Sequence, residues 1–552
     1  MLIVLAVVLK LAYCLPESCS WEEVSELRGK TVYSLAIINR MIYAGTAVGV
    51  YTSTDGLSWR DADLPLPTYA LISLGDEGIL AGTANGVYLS SDEGRTWVEA
   101  GLKGLQVYTL AFSKGVVYAG TSDGVYRLSP SAKSWEPGSL RKAVVSLAVD
   151  PTNPRVVYAG TRSFLVELGD VYISKDGGLT WTRAWFSNYT HGSLGQQLAG
   201  AVVALPLDYS VTCILVNPCD SSKVYACVNF TIIWALVIPQ IGGELEFSLD
   251  SGSSWETGPL FPPISSAVFQ TDCRSLLVGT SGGVYVVITT NGFSYESLGP
   301  GNTSIRAIAV DSDRQRIYVG TTNGLLALRT STAELSLSHP SWVPIDATTL
   351  RLSGTLSSSG KGLPGIKLHV LVNDEEIGFC ETDSRGNFDC MIPYIIQGKD
   401  VEITIQYLSG CYMPSPVSWV FHLVNATVEF KEPSRVSTKV EGLGWYKHGD
   451  TAQVSIPPVL LRDISTVYVF EGWKRNGVLV STSVTYSLTV TEAVELIAAY
   501  KVKPIWEVWI GAAIILTVAI TIAAILILIV LEVKSGKNRK YKEEVTRLRG
   551  RA

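Results

Sequence analysis

The sequence predicts an all-β fold: a ring of seven four-stranded sheets, two smaller β domains, and one membrane helix near the C-terminus. Three observations predict it. One phrase recurs seven times before residue 330. The next 170 residues alternate apolar and polar positions between turn signals. Val508 to Leu531 is then a 24-residue stretch without a charge. The 552 residues exceed one ordinary domain. With 47% hydrophobic residues and only 17% charged ones, there is ample surface to bury, which excludes a disordered chain. The net charge of −6 gives no general basic footprint, so no nucleic-acid partner is expected.

The chain opens with MLIVLAVVLKLAYCLPES, an apolar run before small residues. It reads as a signal peptide over residues 1–18, cleaved near residues 12 to 18. Lys10 interrupts the run, and no basic segment precedes it.

Residues 19–330 carry the repeat. Its second strands centre on Tyr43-Ala-Gly-Thr, Leu80-Ala-Gly-Thr, Tyr118-Ala-Gly-Thr, Tyr158-Ala-Gly-Thr, Tyr225-Ala-Cys-Val, Leu277-Val-Gly-Thr and Tyr318-Val-Gly-Thr. Most spacings are 37 to 41 residues, and two longer ones flank the fifth unit. A third strand follows, then a tight turn and a Trp-led fourth strand. The turns SSDEGRTW (90–97), SKDGGLTW (174–181) and SLDSGSSW (248–255) are full; STDGLSW (53–59) and TTNGFSY (289–295) are shortened, and SPSAKSW (129–135) is degenerate. The Asp carboxylate can accept N–H bonds inside such a turn, Gly supplies positive φ, and Trp fills the wedge between sheets. Asp92, Gly94 and Trp97, Asp176, Gly178 and Trp181, and Asp250, Gly252 and Trp255 are therefore structural. Seven such sheets arranged radially make a seven-bladed β-propeller. The seventh unit lacks a fourth strand. Cys19-Ser-Trp21-Glu-Glu-Val resembles the other Trp-led strands and is expected to close the ring, with Trp342 the rival.

These turns resemble the Asp-box, or BNR, repeat. The pattern is similar to the sortilin ectodomain and to the photosystem II assembly-factor family, which implies a binding role. Sialidases and xyloglucanase-type glycosidases share the repeat. The first blade here reads YAGTAVGVY, without the acid of the xyloglucanase type, and no FRIP-like segment precedes the first turn. Glu167, Asp170, Asp208 and Glu244 are carboxylates near the favoured face, though sequence does not pair them.

Residues 331–424 resemble an Ig-like β-sandwich of surface-protein stalks. Residues 425–503 contain GWYKHGD, FEGWKRNGV and VELIAAYKV, an order similar to the small internalin-type B-repeat β domain. Both read as spacers. Residues 504–531 form the transmembrane helix, whose 24 uncharged residues from Val508 to Leu531, at about 1.5 Å each, span about 36 Å. Residues 532–552 hold eight Lys/Arg and three Glu, a basic tail placed in the cytoplasm. The N-terminus is then outside, on a single-pass protein of the cell membrane.

Asn188, Asn229, Asn302 and Asn425 head four N-glycosylation sequons, all before the span. Nine cysteines contain no CxxC. Cys380 with Cys390, Cys213 with Cys227, and Cys219 with Cys273 are the disulfide candidates of an exterior location, with free buried thiols the alternative. The five histidines form no spaced metal set, no catalytic triad is apparent, and no cofactor is expected. Insertions concentrate around blade five: 30 residues from Trp181 to Val211, and NFTIIWALVIPQIGGE at 229–244. The latter is unusually apolar for a loop, so Phe230, Trp234, Leu236 and Ile238 form the candidate binding loop, opposite the Asp-box turns. Longer strands are the alternative. The function expected is a membrane-anchored cell-surface binding or adhesion protein with an extracellular protein or glycan as partner. A propeller glycoside hydrolase and a structural surface-layer component are the alternatives.

Overall fold

A computed structural model describes residues 20–132, 134–162, 169–185, 204–234, 238–289, 293–339, 342–344, 346–373, 375–394, 396–407, 412–413, 417–430, 438–463, 465–505, 507, 520–527 and 530. The chain forms two compact units. One holds Met1–Ser338, Leu352–Cys390 and Thr404–Ser418; the other holds His339–Arg351, Met391–Ile403 and Trp419–Ala552.

The first unit is built mainly of seven antiparallel sheets of four strands each, numbered here in chain order from residue 32. The first is typical: Val32–Ile38, Met41–Thr46, Val50–Ser53 and Arg60–Asp61 pair in sequence order. Their length follows from the turns, because each strand ends where Gly, Asp or Asn bends the chain back. The innermost strand of each sheet packs against that of the next, and Val32–Ile38 of the first sheet meets Ile305–Asp311 of the seventh. The arrangement is ring-like and propeller-like. Apolar clusters fill the wedges between sheets, such as Tyr158, Val171 and Ile173 of the fourth against Val211, Val224 and Ala226 of the fifth.

Ring closure comes from the N-terminal end. The seventh sheet has the order Ile305–Asp311, Arg316–Thr321, Gly324–Arg329 and then Trp21–Val24. Trp21 lies opposite Leu328 and Val24 opposite Leu325. Trp21 donates its indole N–H to the carbonyl of Leu298 in the sixth sheet at 3.1 Å. Trp97 and Trp135 do the same to Ala62 and Ala100 of the preceding sheets, at 3.0 and 2.8 Å. Trp21 thus has the role of Trp97 and Trp135. Trp342 lies instead on Trp342–Pro344, which pairs with Gly444–Lys447 in the second unit.

A second regularity links neighbouring sheets. In four of them the tyrosine of the second strand packs its ring against the turn glycine of the following sheet: Tyr43 on Gly94, Tyr118 on Gly178, Tyr158 on Gly252 and Tyr318 on Gly56. Tyr43 also donates to the carbonyl of Glu93 at 3.2 Å and Tyr158 to that of Ser251 at 3.0 Å. The two sheets with Leu at this position, Leu80 and Leu277, precede the degenerate turn and the turnless seventh sheet. Ring and glycine form one joint, and where the glycine turn is missing the ring is missing too.

The first unit also contains the hairpin Lys367–Val372 and Glu375–Glu381. Arg274, in the turn between the first two strands of the sixth sheet, donates to the hydroxyls of Thr404 and Ser418 at 2.9 and 3.0 Å. Ser294 of the same sheet donates to Glu376, whose other oxygen meets His369 Nδ1 at 2.7 Å.

Val417–Phe430, which belongs to the second unit from Trp419 onward, runs unbroken through residue 424, where the sequence reading sets a boundary. It pairs in parallel with Val494–Pro504, which pairs antiparallel with Thr466–Arg475. Trp473, Tyr468 and Tyr500 are fully buried there. Residues 520–527 and 530 are helical, with Ile520, Ile522, Ile525, Leu526, Ile527 and Val530 exposed. Among the described residues no helix is long and apolar enough to cross a membrane. Residues 1–18, 508–519 and the basic tail lie outside the described residues.

Candidate functional site

The three aspartate turns share one geometry. Asp92 Oδ1 accepts from the backbone N–H of Arg95 and Thr96 at 3.0 and 2.9 Å and from Ser90 Oγ at 2.8 Å, while Thr96 Oγ1 donates to Oδ2 at 2.6 Å. Asp176 and Asp250 repeat this with Thr180 and Ser254. Each carboxyl is held at about 2, below the ordinary 3.8, chiefly by the hydroxyl of Thr96, Thr180 or Ser254. Gly94, Gly178 and Gly252 all have positive φ. Trp181 and Trp255 donate back to the carbonyls of Gly178 and Gly252 at 3.0 and 3.1 Å. Both oxygens of each carboxylate thus accept from groups of its own turn.

The fifth sheet departs from the other six. Its first three strands, Ala204–Val216, Val224–Trp234 and Ile238–Ser248, have 13, 11 and 11 residues. Equivalent strands elsewhere have four to seven. Pairing is continuous from Val224 opposite Ser248 to Trp234 opposite Ile238, and from Val216 opposite Val224 to Ala204 opposite Trp234 with two shifts. The segment 229–244 is therefore not a loop. It is a three-stranded extension whose middle strand runs six residues past Val228, about 20 Å at roughly 3.3 Å per residue. The third strand leads from it to the aspartate turn at 248–255, so extension and turns lie at opposite ends of the sheet.

Phe230 does not belong to a binding surface. It is 3% exposed, packed by Tyr209 at 6.1 Å between ring centres, in the wedge shared with the fourth sheet. The reason is register: Val224, Ala226, Val228 and Phe230 point to one face, and that face is core. Trp234 and Ile238 oppose each other at the far end of the extension. Leu236 lies outside the described residues. Ile241, on the outer strand, is 61% exposed.

The root of the extension is heavily cross-linked. Cys213 and Cys227, directly opposite on adjacent strands, are disulfide-bonded, with Cα atoms 4.9 Å apart. Cys219 is bonded to Cys273, tying the fifth sheet to the sixth. Cys380 and Cys390 form a third bridge, in the hairpin region after the ring. Asn229 spans the same junction: its Nδ2 donates to the Ile264 carbonyl and its Oδ1 accepts from the Ile264 N–H, both at 2.7 Å. That sequon amide is thus committed to a clip between sheets. Asn302 sits in a turn with φ of 55° and Asn425 on the strand Val417–Phe430, while Asn188 lies outside the described residues. Cys14, Cys19 and Cys411 do also.

A cluster of ionisable groups fills the base of the extension. Glu244 and Glu246 alternate on one strand and so share a face. Both are 3% exposed. Burial, then the neighbouring Glu244, pushes the Glu246 carboxyl up to about 8, partly offset by a hydrogen bond from Thr257. Burial and the same two glutamates push the Tyr209 hydroxyl up. In the fourth sheet Asp170 is 1% exposed, and both its oxygens are held by Arg183 at 2.6 and 2.5 Å. Of the four carboxylates singled out in the sequence, Asp170 and Glu244 are thus buried within the sheet stack, Asp208 is exposed and bonded to Ser210, and Glu167 lies outside the described residues.

No family model and no curated protein matches the chain. Among solved structures it is similar to the extracellular domain assigned to a one-component system from B. thetaiotaomicron, at 13% identity and TM-score 0.44, covering 82% of this chain. The chain spans 58% of that structure's length. The corresponding domain described as a hybrid two-component system gives 11% identity and TM-score 0.44, covering 87% of this chain and 72% of that one. The GH74 enzyme of Niastella koreensis gives 14% identity and TM-score 0.29, over 71% and 74% of the two chains.

Proposed function

We propose that the chain is a membrane-anchored cell-surface binding protein. A seven-bladed Asp-box propeller presents the extension of its fifth blade to an extracellular protein or glycan, and Val508 to Leu531 anchors it. The single observation that carries this reading is the extension itself: past Phe230, which still packs in the wedge, the middle strand runs four more residues, about 13 Å at roughly 3.3 Å each, on a root fixed by two disulfides and the Asn229 clip. Rigid support under a projecting element is how scaffolds present recognition surfaces. The chain leaves the ring after Gly324–Arg329, whose end lies beside the turn at 312–315, as the Thr330 N–H bond to the Gln315 carbonyl records. That is the end of the sheet away from the extension. Hydrolysis is disfavoured because Asp170, Glu244 and Glu246 are buried.

The test is a binding screen against glycans and cell-surface proteins. It compares the wild type with a variant in which 231–241 is replaced by a short Gly/Ser turn, which leaves Asn229 and Phe230 in place. Binding lost by the variant at an unchanged melting temperature supports the reading. Binding that survives the replacement overturns it, and a bound glycan that is cleaved would replace recognition with catalysis.

A further inference from the structure

We propose that Tyr33, Tyr69 and Tyr108, with Arg306 and Arg162 at the two ends of their arc, form a binding site for an acidic saccharide, which rests on the reading of this end of the ring as a recognition surface and names the ligand class it takes. All seven sheets carry a bulge in the innermost strand at the same point of the repeat. In the first three the unpaired residue is a tyrosine: Tyr33 between Val32 and Ser34, Tyr69 between Thr68 and Ala70, and Tyr108 between Val107 and Thr109. In the fourth, fifth and sixth it is short, Val145, Thr212 and Ser265, and in the seventh it is Arg306. A bulge turns a side chain out of its ladder. Here the result is a row. The ring centres of Tyr33 and Tyr69 are 5.2 Å apart and those of Tyr69 and Tyr108 5.9 Å, with tilts of 54° and 47°. The Arg162 guanidinium of the fourth sheet lies 5.7 Å from the Tyr108 ring centre, within cation–π range. Arg306 holds the next bulge on the other side of Tyr33, because the seventh sheet packs against the first. Cation, three rings and cation thus follow one another over five consecutive sheets. The bulges lie where the extension begins, since Thr212 follows Val211 opposite Val228.

The chemistry favours a sugar. Half-buried rings tilted in a row make a shallow, curved aromatic surface. A saccharide chain has apolar C–H faces to lay on such rings and hydroxyls around its rim. Among the described residues the Tyr33 and Tyr69 hydroxyls have no hydrogen-bond partner, and Tyr108 donates to the exposed Gln106 at 2.7 Å. Thr212 and Ser265 instead donate to the Ile264 and Ile305 carbonyls of the next sheet. The arc is therefore one-sided. Arg162 and Arg306 are exposed, and among the described residues neither guanidinium has a hydrogen bond or an ion pair. The described acids of the adjoining turns, Asp123 and Asp170, are held by Arg141 and Arg183. In a chain of net charge −6, two uncommitted guanidiniums flanking a row of rings select an anion.

Titration of the full-length chain with hexagalacturonate and a heparin hexasaccharide tests it, with the methyl ester of hexagalacturonate as the neutral counterpart and hexaglutamate as a peptide of similar charge. An acidic saccharide should bind more tightly than the ester and the peptide, and less tightly as salt rises. Tyr69→Ala should weaken binding about tenfold or more, while Tyr69→Phe keeps most of it because the ring face remains. Arg306→Gln, at an exposed position where folding is not at stake, should weaken it severalfold and flatten the salt dependence. Wild-type affinity in both Tyr69→Ala and Arg306→Gln overturns the proposal. So does equal binding of the ester, preference for the peptide, or no binding of either acidic saccharide. The 231–241 replacement separates this site from the extension. Binding lost there but kept in Tyr69→Ala removes the arc and leaves the extension; the converse leaves the arc and removes the extension.

Discussion

Gly252→Ala is the sharpest probe of the joint between neighbouring sheets. Gly252 has a φ of +82°, a region that costs a residue with a Cβ roughly 1–2 kcal/mol. The added carbon would also sit 3.1 Å from Cε1 of Tyr158, tighter than ordinary contact. That ring is fully buried and its hydroxyl is tethered to Ser251, so it cannot swing away. Overpacking of this kind costs about 1–3 kcal/mol, for a total near 3 kcal/mol. Gly104→Ala is the control: its φ is +86°, but nothing lies within 4 Å of its added carbon, so only the conformational cost of about 1–2 kcal/mol remains. Native-state hydrogen exchange should show the amides of Val157–Thr161 and Val224–Trp234 opening about tenfold or more faster in Gly252→Ala than in the control. Introducing Tyr158→Leu, the residue this chain itself uses before incomplete turns, should relieve part of the cost in Gly252→Ala, giving a coupling of about 1 kcal/mol. Equal losses in the two glycine variants, or strict additivity in the double variant, would refute the ring-on-glycine joint.

Three other outcomes follow from the same geometry. Asp92, Asp176 and Asp250 are held at about 2 when folded and titrate near 3.8 when unfolded. Their stabilisation is therefore complete above about pH 4 and lost as pH falls toward 2, and an Asn variant at any of them should show a shallower acid-unfolding curve over that window. Glu246 runs the other way: with its carboxyl raised to about 8, the folded state keeps a proton that the unfolded state loses near 4.5, so stability declines as pH rises between those values. Glu246→Gln should match the wild type in urea at pH 5 and exceed it at pH 9; parallel curves would show the group is not buried as described. Trp21→Ala should cost about 3 kcal/mol through lost packing, and Trp21→Phe about 1 kcal/mol through the lost indole bond to Leu298. Exchange at Gly324–Arg329 should accelerate while that at Val116–Thr121 in the third sheet stays slow.

Features written within one repeat were legible in the sequence. The aspartate turns use Ser, Asp, Gly, Thr and Trp within eight residues, so their chemistry is local and recurs visibly. The strand at Trp21 was recognisable because it carries the same Trp-led pattern. Contacts between repeats were not legible. Tyr158 and Gly252 meet across two sheets, and no spacing along the chain announces it. The extension reads as a loop in the sequence because Ala-Leu-Val at 235–237, between its second and third strands, carries no Gly, Asn or Pro, so two apolar strands read as one apolar run. Phe230 was misplaced for the same cause: without the register Phe230 opposite Gly242, its facing side cannot be assigned. Tyr33, Tyr69 and Tyr108 come together only through the ring of sheets.

The closing strand has a consequence for biogenesis. Trp21 leaves the ribosome before the strands of all seven sheets that follow it, yet its partner Leu328 follows about 300 residues later. At roughly 5–20 residues per second that is about 15–60 s. Over that interval the first six sheets can form in turn, while the strand that completes the seventh has nowhere to dock and remains an open edge. Closure of the ring thus waits for the seventh sheet, and until then Trp21–Val24 is a strand without its neighbour, open to mispairing.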